Sequence, residues 1–369
     1  MLYALAFVLG LVLNVLFFAT EIFGSEKDPD RMATAMLFGA VPAFVMLVFY
    51  LPVPAVLDRF DPEPWWCLLM AFVWGAVVAT GVSGFVTSAA TDALGGHALG
   101  SHHVVTQSVV APVVEELAKG AFIWGFYYFM RREFDGVVDG IIYAIVCALG
   151  FAAVENVTYY ARAALIGDDV FASTFFFRGI VSPWGHPLYT AMTGIGVGIA
   201  RESTRMPVRV ASAIGMMLLA IVLHAAWNFV PNLGGNVFVV SLVFWFAFVG
   251  IFGVVVSVLV TRKGRIIREY LADEVIFGTL SADEARLITS AFGRMRTYFM
   301  KRGVLWRKLI RAAARLALCK WHTARAMKKQ KRTISIEFIA PLRAEVRRLR
   351  GLLHAGPASE PAPTVRGLE

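Results

Sequence analysis

The sequence predicts an all-α protein: a polytopic helical membrane bundle of about eight transmembrane helices with a helical cytoplasmic tail. Three observations predict it. Of 369 residues, 58% are hydrophobic and 17% charged, against about 45–50% apolar and about 25% charged in an ordinary soluble domain. The apolar residues are gathered into long runs that stop after Val260. Charge divides at the same place: residues 262–369 carry 24 Lys and Arg against 9 Asp and Glu, while residues 1–261 carry 11 against 17.

The runs fall at residues 1–23, 33–57, 66–93, 104–130, 137–160, 174–200, 208–230 and 236–261. Each is long enough to cross about 30 Å of hydrocarbon at about 1.5 Å per residue. The first lacks a basic start and a small-residue cleavage site, so it reads as a retained helix and not a cleaved signal. Asp58 to Trp66 is a turn-rich segment: its prolines break helix, and Trp65 and Trp66 suit a membrane interface. The three cysteines, Cys67, Cys147 and Cys319, are far apart, with no CxxC, and indicate neither a disulfide framework nor a thiolate metal site.

Loop charge sets orientation. Arg131 and Arg132 follow the fourth run; Arg201, Arg205 and Arg209 follow the sixth; Arg262, Lys263, Arg265 and Arg268 follow the eighth. All face the cytoplasm only if both termini do. The first loop is the exception, with Lys27 and Arg31 beside Glu26, Asp28 and Asp30. The expected location is therefore the cell membrane, multi-pass, with cytoplasmic termini. The expected division is a transmembrane domain at 1–261, a basic helical cytoplasmic region at 262–355 and a disordered, Pro-rich tail at 356–369. In the basic region Ser281 to Glu284 has the pattern of a helix-capping box. Its interleaved bases and apolar residues suit the anionic inner leaflet. No recognition motif supports nucleic-acid binding.

Most membrane helices carry no charge, because burying one costs a few kcal/mol even on lenient scales. Here successive runs do. The fourth holds Glu115, Glu116 and Lys119; the fifth Glu155, Asn156 and Tyr159; the sixth His186; the seventh His224 and Asn228. Glu115 and Lys119 are spaced i,i+4 and are expected to pair. Glu116 is then expected to point about 100° away, without a local cation, as a candidate general base. Counting along the alternating helices puts Glu115, Glu116, Glu155, His186 and His224 at one depth, in the outer half of the bilayer. Singly, each has a structural explanation. A shared depth does not follow from chance. His97, His102 and His103 read as a solvated loop.

Glu115-Glu116-x-x-Lys119, Phe151-x-x-x-Glu155-Asn156, His186 and His224-x-x-Trp227-Asn228 occur in an order that resembles the PrsW family of intramembrane proteases. That family is similar in turn to the type II CAAX prenyl endopeptidases, which usually carry His where this chain has Glu155. The resemblance covers roughly residues 58–228. It implies an intramembrane endopeptidase cutting in or near the transmembrane segment of membrane-anchored protein substrates, with anti-sigma factors as the type. Two mechanisms fit the residues. Glu116 or Glu115 activates water, His224 and Asn228 stabilise the oxyanion and His186 assists proton transfer. Or Glu155, His186 and His224 bind Zn²⁺, and the paired glutamates act as base and supporting groups. An ion-coupled transporter or channel also uses intramembrane acids, and a prenyl-protein endopeptidase would need a site open to the cytoplasm.

Overall fold

A computed structural model describes residues 2–23, 28–94, 104–290, 292–330 and 333–355. His97, His102, His103 and residues 356–369 lie outside these. The described residues form helices and connecting turns, with no strand among them. Among the described residues, six helices are long and apolar enough to cross a membrane by length and composition. They are α1 (Tyr3–Phe23), α2 (Pro29–Leu57), α3 (Trp65–Ala93), α5 (Val137–Ile166), α8 (Met206–Leu233) and α9 (Gly235–Ile276). The fourth expected run forms α4 (Ala111–Phe129), entered through a π-helical turn at Thr106–Val110. Glu115, Glu116 and Lys119 keep α4 out of the purely apolar set. The sixth becomes a short α6 (Asp168–Phe175), a π-helical turn at Phe176–Val181 and α7 (Gly185–Glu202).

Local sequence sets the boundaries. Asp28 caps α2 by accepting from the Asp30 backbone N–H at 3.0 Å, with Pro29 following it. Proline interrupts the end of the same span, which continues as short pieces at Leu47–Tyr50 and Pro52–Leu57.

The chain divides into two compact units: Met1–Asp58 with Glu63–Val260, and Arg59–Pro62 with Thr261–Glu369. In the first, α5 is the central helix, buried along nearly its whole length. Helices α2, α3 and α7 pack on it; α8 packs on α7 and α4. The closest approach depends on glycine. A Cβ on Gly194 of α7 would lie 2.2 Å from the Gly140 carbonyl oxygen of α5, and the reverse distance is also 2.2 Å. Small residues let membrane helices approach this closely, where van der Waals contact replaces the hydrophobic drive that lipid removes.

The second unit is built the soluble way. Helix α10 (Ala282–Ile288) opens on the expected capping box: Ser281 Oγ accepts from the Glu284 N–H at 3.2 Å, and Glu284 Oε2 accepts from the Ser281 N–H at 2.6 Å. Helix α11 (Gly303–Met327) buries Leu309, Ile310, Ala313, Leu316 and Ala317 on one face and packs against α12 (Ile336–His354). Lys263 pairs with Asp61 at 2.9 Å. Glu274, fully buried, takes Arg343 Nη2 at 2.6 Å and Lys320 Nζ at 3.1 Å.

Candidate active site

Helices α4, α5, α7 and α8 bring Glu115, Glu116, Glu155, His186 and His224 into one cluster around Lys119. Glu116 and Lys119 are sealed, at 0% side-chain exposure, and the cluster opens towards His186 (14%) and Glu155 (17%). Lys119 Nζ lies 2.6 Å from Glu116 Oε1, 3.5 Å from Glu115 Oε2 and 3.3 Å from His186 Nδ1. It also sits over the Phe151 ring at 4.2 Å. The expectation that Glu116 lacks a local cation is therefore corrected. Positions i,i+3 and i,i+4 flank the same helix face, and the lysine leans to the nearer carboxylate.

Each histidine is held by a carboxylate through one ring nitrogen. His186 Nε2 is 3.0 Å from Glu155 Oε2, and His224 Nδ1 is 3.1 Å from Glu116 Oε1. The other nitrogens converge on one atom: His186 Nδ1 lies 3.7 Å and His224 Nε2 3.8 Å from Glu115 Oε2. The two rings meet edge to face at 4.9 Å. Glu115, His186 and His224 can each offer one donor atom within 4.8 Å of the others. This is the usual anatomy of metal-binding histidines, whose second nitrogen is fixed by a carboxylate. The three glutamates face two fixed cations, Lys119 and Arg178, so one negative charge is left over for a proton or a metal.

Among the described residues the donor atoms that fall together are those of Glu115, His186 and His224, whereas the sequence grouped Glu155 with the two histidines. Glu155 is drawn off by Arg178, which pairs with it through Nη2 and donates Nε–H to Asn156 Oδ1 at 2.7 Å. The guanidinium also lies 3.6 Å from the Tyr159 ring centroid. Arg178 was missed, although a lone arginine in Phe175-Phe-Phe-Arg-Gly-Ile180 is as conspicuous by intramembrane charge as the glutamates were. Its π-helical turn is pinned by the Tyr50 hydroxyl, which donates to the Gly179 carbonyl. Thr190, one turn beyond His186, donates to Glu116 Oε2 at 2.9 Å. Tyr189 stacks on His224 at 5.1 Å, and its buried hydroxyl has no hydrogen-bond partner among the described residues. Asn228 does not join the carboxylates; its Nδ2 donates to the Gln107 carbonyl at 3.0 Å, tying α8 to the turn at Thr106–Val110.

Residues 63–258, just over half of the chain, match the model of the PrsW family of intramembrane metalloproteases. The chain belongs to this family. It is an intramembrane endopeptidase of a family described as metalloproteases, and it acts on substrates within a membrane. Among relatives, protease PrsW of Oceanobacillus iheyensis is 26% identical over 200 residues, covering 54% of this chain and 83% of the relative. Protease PrsW of Bacillus subtilis is 29% identical over 193 residues, covering 52% and 80%. Protease PrsW of Geobacillus kaustophilus is 26% identical over 177 residues, covering 45% and 67%. No solved structure matches the chain. The PrsW match takes in all five clustered acids and histidines, and it stops before the second unit proper.

Proposed function

We propose that Glu115, His186 and His224 are the reactive centre of this PrsW-type protease and hold its metal, with Zn²⁺ the ion best suited to two imidazoles and a carboxylate. The observation that carries this reading is the approach of His224 Nε2 and of His186 Nδ1, which also meets Lys119 Nζ at 3.3 Å, to the one atom Glu115 Oε2. The metal, when bound, would supply polarisation of the scissile carbonyl without proton bookkeeping. Everything else belongs to the chain's own residues.

Glu116 and Glu155 are positioning residues. Glu116 is engaged by Lys119, His224 and Thr190, and Glu155 by Arg178 and His186. Glu115 is the least engaged carboxylate: its nearest polar neighbour here is Lys119 at 3.5 Å. Its Oε1 takes the proton of the attacking water as the water oxygen bonds to the carbonyl carbon. The same proton passes to the amide nitrogen as the C–N bond breaks. Lys119 keeps a fixed positive charge beside the developing oxyanion, and the Tyr189 hydroxyl is a donor not yet spoken for. Asn228 holds the wall at Gln107 and positions His224 one turn away.

In this reading residues 1–261 form the protease domain and residues 262–355 a basic cytoplasmic region. The protein sits in the cell membrane with both termini cytoplasmic. Its substrates are membrane-anchored proteins of the anti-sigma-factor type, cut near their extracytoplasmic boundary. Loop arginines support the orientation, and the depth of the five residues supports the position of the cut. The test is cleavage of a single-span reporter by purified protein, with sequencing of the new termini. A cut on the extracytoplasmic side, lost in Glu115→Gln while the variant still accumulates in the membrane, is expected. A cytoplasmic-side cut would overturn the orientation; wild-type cleavage by Glu115→Gln would remove Glu115 from the chemistry.

A further inference from the structure

At residues 292–302 the second unit turns a dense group of large apolar side chains outward. Within eight residues Phe292 is 69% exposed, Met295 57%, Tyr298 61% and Phe299 90%. The inward position between them goes to a hydroxyl: Thr297 is 0% exposed and donates to the Arg294 carbonyl at 2.6 Å. The arrangement is built into the backbone. A Cβ on Gly293 would fall 1.9 Å from the Leu287 carbonyl oxygen, and one on Gly303 2.1 Å from that of Thr297. Both ends are therefore packed against neighbouring backbone in a way that only glycine permits, and the aromatic side chains are left facing out.

Charge says what they face. Residues 285–336 contain fifteen Lys and Arg and no Asp or Glu. Arg296 and Lys301 are exposed on either side of the aromatic tip. Arg307 stacks over Tyr298 at 4.5 Å, and Arg302 closes the base of the segment on the Leu352 and Ala355 carbonyls at 2.6 and 2.7 Å. Exposed Phe and Met beside Lys and Arg match the interface of an anionic bilayer. There the apolar groups enter the acyl boundary, and each base near the surface adds about 1 kcal/mol. A nucleic acid would satisfy the bases but gives Met295 and a 90%-exposed Phe299 no comparable apolar medium.

We propose that residues 292–302 are a lipid-docking tip: Phe292, Met295 and Phe299 insert into an anionic leaflet, and Arg296 and Lys301 engage its phosphate headgroups. The proposal does not depend on the assignment of the reactive centre.

The test uses the full chain in nanodiscs of phosphatidylcholine, alone or mixed with phosphatidylglycerol. A nitroxide is attached at Met295→Cys; the native Cys67, Cys147 and Cys319 are buried and do not compete. In phosphatidylglycerol discs the label should become several-fold more accessible to oxygen than to a water-soluble nickel chelate. The double substitution Arg296→Glu with Lys301→Glu, at two exposed positions, should return it to water. Proteolytic resistance of α11 and α12 checks that the unit remains folded in that variant. A label equally open to nickel in both discs would overturn the proposal. So would a water-exposed label together with salt-sensitive binding of a single-stranded oligonucleotide that the double substitution abolishes, which would assign the patch to nucleic acid.

Discussion

Glu274 and Glu115 are both buried glutamates, and their surroundings differ in a way that separates structure from chemistry. Glu274 has two cations on its single carboxylate, Arg343 and Lys320, at hydrogen-bond distance. Every demand a buried charge makes is met, and nothing remains to be done there. Around Glu115 the count is reversed. Three carboxylates share Lys119 and Arg178, and the contacts of Glu115 itself run from 3.5 to 3.8 Å. A buried carboxylate left short of partners is costly, and such a shortage is what a proton or metal site requires.

The sharpest break of this comparison is a pair of identical substitutions. Glu115→Gln should reduce reporter cleavage by about 10³-fold or more, as expected for loss of a group in the reacting set. Glu274→Gln should leave turnover unchanged and loosen only the second unit, by about 1–3 kcal/mol, because it takes the ion-pair partner from Arg343 and leaves Lys320 with Asp273 alone. Hydrogen exchange over α11 and α12 reads the second effect. Equal losses of turnover in both variants would dissolve the distinction.

Arg178 comes next. As a positioning residue that acts on His186 through Glu155, its replacement by Ala should cost about 10-fold in kcat/KM, the low end of the range for groups that support a metal ligand. Arg178→Lys keeps the charge but not the two-pronged geometry, and should recover part of the loss. A purely structural arginine would change the amount of folded protein and leave the pH profile of the remaining activity where it was; here the profile should move.

Gly194→Ala probes the frame. A methyl 2.2 Å from the Gly140 carbonyl forces α7 and α5 apart, at about 1–3 kcal/mol of bundle stability. Activity should fall with it, because α7 carries His186 and α5 carries Glu155. The smallest effect is expected at Glu284 in the second unit. Burial pushes its carboxyl up, but the Ser281 N–H, His354 and Arg350 outweigh that and hold it below the usual range. Its stabilisation is present above the unfolded-state value of about 4.3 and is lost as pH falls through the lower folded value. Exchange protection of α10 should therefore hold at neutral pH and fade only in acid, with Glu284→Gln flattening the dependence.

Much of this was legible in the sequence. The apolar runs forecast the helices to within a few residues at most ends, because lipid asks for nothing but length and hydrophobicity. Expensive groups inside those runs forecast the cluster. The finer pairing was not legible. Spacing alone made Lys119 the partner of Glu115, but i,i+3 and i,i+4 neighbours are both within reach, and only the packing of Phe151 and His186 decides between them. Nor could linear order show that Arg178 reaches across to pair with Glu155. The exposed tip at Phe299 escaped for a similar reason: an amphipathic pattern says that one face is buried, not which residues the backbone turns outward.

Metal stoichiometry of the purified protein tests the central assignment most directly. Wild type should carry one equivalent of a divalent metal. Glu115→Gln, His186→Ala and His224→Ala should each lose most of it, while Glu155→Gln should retain a large part with weakened affinity, because Glu155 orients His186 without joining the donor set. Full metal in Glu115→Gln, with loss in Glu155→Gln equal to that of the histidine variants, would contradict the account and return the third ligand to Glu155.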